Sequence, residues 1–191
     1  SANVDMKPEI FVNYEVAVCQ CFLVGVLYTE LTAFFIDGKD MIYSVSVNGD
    51  GRPPYKNLNT GTFTNKGIEF EARYQICKNL NLDMNYSYLH MSKPIAGAPG
   101  HKCYAGASYM PGGFTLNVNM QSVFDLYTDA ECSKKEDFTT LNAKVAYRFG
   151  TRDKGLNLFV KGENLTATRY TINDGFPMPK AIFMGGIDVT F

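Results

Sequence analysis

Tryptophan is missing from the 191 residues, histidine occurs only twice, and no uninterrupted run of 18 apolar residues exists. The last absence excludes a transmembrane helix, which needs about 20 consecutive apolar residues to cross a bilayer. It leaves a transmembrane barrel open, because short alternating strands barely raise hydropathy. An excess of one charge is lacking too. With 18 Lys and Arg against 19 Asp and Glu, the chain has no basic footprint for nucleic acid, and no nucleic-acid partner is expected. No signal peptide opens the sequence, and SANVDMKPEI reads as a mid-protein entry or an artificial start.

Cysteine is present without a pattern. Cys19, Cys21, Cys77, Cys103 and Cys132 are odd in number and lack zinc-type spacing. Cys19-Gln20-Cys21 would place both sulfurs on one face of a strand, yet no second pair or nearby histidine completes a site. All five read as small, moderately apolar strand residues, and neither a metal nor a cofactor is expected.

What the chain does have is period two. TNKGIEFEARYQI sets Ile68, Phe70, Ala72 and Tyr74 against Glu69, Glu71, Arg73 and Gln75. LNLDMNYSYLH, FTLNVNMQSV and FTTLNAKVAYRF repeat the alternation, as do VNYEVAVCQCF and the closing MGGIDVTF, which stops on Phe191. Alternation of this kind marks strands with two different faces. The second strand is read as one long run over VLYTELTAFFIDGKDMIYSV, bent rather than ended at Asp37-Gly38. Nine strands result, with 17 Gly and abundant Asn and Thr supplying the turns between them.

The connections sort by length. Residues 23–25, 76–79, 110–113 and 150–155 are short; 47–57, 92–99, 125–137 and 168–181 are long. They alternate along the chain, so an up-and-down sheet gathers the short turns at one end and the long loops at the other. A barrel threaded through an outer membrane has this arrangement. Tyr74, Tyr86, Tyr88, Tyr109, Tyr147, Phe149 and Phe191 lie toward strand ends on the apolar side, as interfacial girdles do. The fold expected is therefore all-β: an antiparallel up-and-down transmembrane β-barrel, partial, of about nine to ten strands, with apolar rows facing lipid and polar rows facing a wet lumen. Periodicity alone equally allows a soluble barrel turned inside out.

NTGTFTNKGIEFEARYQ, KNLNLDMNYSYLH and LNLFVKGENLTATRYTINDGFPMPKAIFMGGIDVTF resemble segments of TonB-dependent outer-membrane receptors, the last of them the family's C-terminus. The resemblance covers the chain from about Asn13. It implies a barrel of about 22 strands, an N-terminal plug domain and a TonB-box peptide. Because single-chain bacterial barrels have even strand numbers, nine strands imply others upstream. Residues 1–191 are then the C-terminal portion of a receptor barrel, with no plug domain in the chain. A tenth strand among residues 1 to 11 would instead close a small barrel.

The resemblance implies energised uptake of a scarce nutrient (ferric siderophore, haem or cobalamin) across the bacterial outer membrane. The partners implied are outer-membrane lipid, the small-molecule ligand, and the TonB complex through a plug the chain lacks. Ligand contact is expected on the long loops and upper lumen. Arg52, Tyr55, Tyr127, Arg169 and Tyr170 are the candidates, since aromatic and Arg side chains dominate binding anchors.

Two rivals stand beside this reading. One is a small stand-alone outer-membrane barrel, a pore or a rim hydrolase using His90 and His101, with Asp125, Asp129 and Glu131 on the following loop. No Ser or Asp nucleophile motif accompanies those histidines, so an enzyme is not expected. The other is a soluble lipocalin-like binder.

Overall fold

The computed structural model describes residues 6–49, 54–59, 61–151 and 154–191. Nine strands make one antiparallel sheet: β1 (Ile10–Phe22), β2 (Leu27–Lys39), β5 (Thr62–Cys77), β6 (Leu80–Met91), β7 (Pro99–Tyr109), β8 (Phe114–Tyr127), β9 (Lys135–Gly150), β10 (Gly155–Glu163) and β13 (Ile182–Thr190). Each pairs with its predecessor in the sheet, so the order is up-and-down throughout. Two small hairpins stand apart from it, β3 (Ile42–Ser46) with β4 (Tyr55–Asn59), and β11 (Thr171–Asn173) with β12 (Phe176–Pro177). Both belong to the long loops.

Exposure along β8 tells the two faces apart. Phe114, Leu116, Val118 and Met120 are exposed, while Thr115, Asn117, Asn119 and Gln121 between them are half-buried. A flat single-layer sheet would expose both faces alike. A curled one shelters its inner face, and here the sheltered face is the polar one. The apolar stripe from Phe114 to Phe124 spans eleven residues, the length a tilted strand needs to cross about 25 Å of hydrocarbon. Hydroxyls on this outer face satisfy one another, as at Ser122 Oγ and Thr139 Oγ1, 2.8 Å apart. Lipid offers them no other partner. At the short-turn end Tyr147 packs edge-on against both Phe114 and Phe149, each 4.5 Å between centroids, a girdle of the expected kind.

Toward the long loops the faces exchange character. Phe34, Ile36, Phe63, Leu89, Val123, Leu126 and Phe138 occupy the inner face there, whereas Asp37, Lys66, His90 and Lys135 stand on the outer one. Above the hydrocarbon the outside is wet, so apolar packing moves inward. Buried apolar side chains concentrate at this end, with Val123, Leu126 and Phe138 in one cluster. Glycine makes the close packing possible: a Cβ at Gly67 would sit 2.1 Å from the Tyr88 carbonyl oxygen and 2.6 Å from the Phe34 ring.

Two sequence expectations are corrected. The second strand leaves the sheet at Asp40, whose φ is +61°, and Ile42–Ser46 turns away to pair with Tyr55–Asn59; Gly38 lies inside β2 without bending it. Residues 125–137 are loop only from Thr128 to Lys134, since β8 and β9 run further than alternation indicated. Of the tenth strand allowed among residues 1 to 11, residues 1–5 lie outside the described residues; among the described residues none joins the sheet, and β1 and β13 are its two edges.

Candidate functional site

The loop between Glu163 and Ile182 folds back over the inner face instead of standing free. Asn164 starts it in a left-handed conformation (φ +48°) that Asn tolerates better than most residues. Only 5% exposed, it fastens five points. Its amide N–H donates to Asn142 Oδ1 at 2.9 Å, and its side-chain Nδ2 donates to the carbonyls of Thr168 (2.9 Å) and Pro179 (3.1 Å). Its Oδ1 accepts from the Thr168 amide and the Thr166 hydroxyl, both 3.1 Å. Buried amides are expected to be satisfied in this way.

Further along, Thr168 Oγ1 donates to the Thr139 carbonyl, and Tyr170 stacks on Phe138 with centroids 4.0 Å apart and 21° between planes. Tyr170 thereby completes the Val123–Leu126–Phe138 cluster. The loop tip is tied to its neighbour by the Asp174 amide on the Thr128 carbonyl and by a Lys134–Asp174 ion pair. That neighbour is braced by Asp129, whose carboxylate takes the amides of Ser133 (3.0 Å) and Lys134 (2.8 Å) and the Ser133 hydroxyl. Burial works to raise the Asp129 pKa, and these hydrogen bonds outweigh it and hold the group below the usual carboxylate value. Asp174 raises the Lys134 pKa in turn. Burial pushes the Cys132 thiol up, with nearby Asp129 adding to it, so that thiol is the less nucleophilic for it.

Under the loop lies a cavity of about 310 Å³, walled by Gln121, Thr140 and Asn142 of the sheet and by Tyr170, Met178 and Lys180 of the loop. Amides, hydroxyls, the Lys180 ammonium and the Glu163 carboxylate line it, so it can bind a small polar ligand by hydrogen bonds. Below, the inner face is divided by charge. On β2 and β5 Glu30 lies directly across from Glu71, and Glu69 lies two residues along, with Lys102 closing a second hollow of about 280 Å³. On β9 and β10 Lys144 faces Lys161. Arg73 pairs with Glu71 and Lys161 with Glu163, both at 2.5 Å.

Of the sequence candidates, the structure brings Tyr170 to the cavity. Tyr127 points to the opposite face, where Lys135 Nζ sits 5.1 Å from its ring centroid. Tyr55 opens β4 on the separate hairpin, exposed. Arg169 is exposed, and Arg52 lies outside the described residues. Gln121, Thr140, Asn142, Asn164 and Lys180 were not singled out by the sequence; the first three are simply the outermost members of the polar rows.

The histidines part company. His101 Nδ1 is 2.8 Å from Tyr86 OH and its Nε2 is 3.9 Å from Asp125, which is held by Lys135 at 2.6 Å. His90 stands opposite Lys66. Asp129 is spent on its own loop. Among the described residues no three His, Cys, Asp or Glu side chains gather closely enough to hold a metal.

A curled antiparallel sheet with exposed apolar rows outside, polar rows inside and loops sorted by length is a section of transmembrane β-barrel wall. Residues 1–165 match the family model for the TonB dependent receptor-like beta-barrel, and the chain belongs to that family, whose barrels reside in the outer membrane. A soluble lipocalin-like binder is thereby ruled out.

Solved structures of similar fold include the copper transporter OprC (18% identity, TM-score 0.76, 98% of this chain and 32% of that one). The ferric-catecholate import receptor Fiu from E. coli K12 is another (16%, 0.73, 99% and 29%). A third is BauA, the ferric preacinetobactin receptor of Acinetobacter baumannii (19%, 0.70, 93% and 29%). All three are named as transporters or receptors, and the chain spans about a third of their length or slightly less.

Proposed function

We propose that these nine strands form the C-terminal part of the wall of an outer-membrane receptor that imports a scarce nutrient of the ferric siderophore, haem or cobalamin type. Uptake is energised by TonB through a plug domain outside this chain. Ligand is met at the outer loops and upper lumen, where Tyr170 and Lys180 present an aromatic ring and an ammonium beside the amides of Gln121 and Asn142. The observation that carries this reading is the loop of residues 164–181, folded inward and bonded to the inner wall beside a polar cavity. Family membership supports the rest.

The edges β1 and β13 support the view that more strands complete the cylinder. Unpaired backbone groups are not tolerated in hydrocarbon, and every residue of β1 is exposed.

The test is uptake of labelled ferric siderophores, haem and cobalamin by cells carrying or lacking the gene, with and without TonB. Loss of uptake of one ligand class in both knockouts is the expected result. Unchanged uptake of every class in the gene knockout overturns the reading.

A further inference from the structure

On the outer face, the cross-strand row Phe35–Lys66–His90 sits one step above the row Ala33–Ile68–Tyr88–His101–Phe124. The lower row is apolar and aromatic, with Tyr88 and His101 rings 4.9 Å apart. The upper row brings in the Lys66 ammonium and the His90 imidazole. Lys66 and His90 are direct neighbours on adjacent strands, both exposed, and neither side chain has a hydrogen-bond or ion-pair partner among the described residues. Asp37, on the same face of β2, pairs with neither. Further round the rim Lys135 is taken by Asp125 and His101 leans on Tyr86, so Lys66 and His90 form the uncommitted donor pair.

The Lys66 ammonium therefore lacks a counter-charge, and the His90 ring offers an N–H to the same acceptor. The partner that fits must carry acyl chains for the stripe below and an anion one row higher.

We propose that Lys66 and His90 hold the phosphate of an anionic lipid headgroup, whose chains lie along Ile68, Phe70, Tyr86 and Tyr88. The proposal rests on the membrane-wall reading above, in which this face meets lipid. It adds a specific lipid contact on β5 and β6 where a uniform girdle would show no headgroup preference. Basic groups at a membrane surface each strengthen anionic-lipid binding by about fivefold.

The full-length protein carrying Phe124→Trp, in phosphatidylcholine vesicles, supplies the probe. Quenching by brominated phosphatidic acid is compared with quenching by brominated phosphatidylcholine, present as a minor component. Phosphatidic acid should quench several-fold more effectively, the preference falling in Lys66→Gln and vanishing in Lys66→Gln/His90→Gln. Lys66→Arg should retain it, and Lys154→Gln, in the turn at the opposite end, should leave it unchanged. Equal quenching by the two lipids, or a preference that survives the double substitution, overturns the proposal. So does full competition by inorganic phosphate, which would mark an ion site. If neither lipid quenches, the face does not meet lipid and the membrane-wall reading fails with it.

Discussion

Phe138 of the wall and Tyr170 of the inward loop stack nearly parallel, 21° between planes and 4.0 Å between centroids. Such a pair contributes about 1 kcal/mol beyond the area it buries. Arg169 and Lys180 give trypsin two cutting points within the same loop. Tyr170→Ala should be cut at least about fivefold faster than the parent, because cleavage follows the open fraction when opening is rapid. Equal rates would mean that the stack does not fasten the loop.

Asn164 separates conformation from hydrogen bonding. Asn164→Gly keeps the left-handed backbone and loses the side-chain bonds, at a cost of about 1–3 kcal/mol for the partners left unsatisfied. Asn164→Ala loses the bonds and adds a left-handed penalty of about 1 kcal/mol. Denaturant titration in lipid vesicles should therefore rank the parent above Gly and Gly above Ala. Ala as stable as Gly would show that the backbone relaxes.

The lowered pKa of Asp129 has a defined pH consequence. A carboxylate whose folded pKa lies below its unfolded value contributes stability that is present above the unfolded pKa and lost as pH falls through the folded one. The loop of residues 128–134 should therefore loosen in acid, below the ordinary carboxylate value of 3.8. Spin-label mobility at Ala130 should rise there in the parent. Asp129→Asn should be mobile already at neutral pH and flat across the acid range, and a parent that stays rigid in acid would contradict the assignment.

Adjacent positions on β8 test which face meets lipid. Val118 lies near the middle of the outer stripe and Asn119 on the sheltered face. Val118→Arg should lower stability in bilayers by about 2–4 kcal/mol, whereas Asn119→Arg should cost much less. The reverse ranking, measured by denaturant unfolding from vesicles, would invert the wall.

The membrane-crossing part of the fold was legible because one rule governs it: apolar residues face one way and polar residues the other at every second position. That rule lapses at the outer end. There Phe34, Ile36 and Val123 turn inward while Lys66 and His90 turn outward, so alternation persists with its sense reversed and no longer marks where a strand stops. At Asp125 a bulge with φ +56° also breaks the count, which is why residues up to Tyr127 and from Lys135 resembled loop. The cavity was still less legible. Asn164 reaches Asn142, 22 residues away, and Thr168 reaches Thr139, 29 away; contacts at such separations leave no periodic trace.

The acidic pair Glu30 and Glu71 on one flank and the basic pair Lys144 and Lys161 on the other each set two like charges face to face across a ladder. Each like pair leans on a counter-charge two residues along its own strand, Arg73 for Glu71 and Glu163 for Lys161; removing either partner would leave two like charges confronting each other.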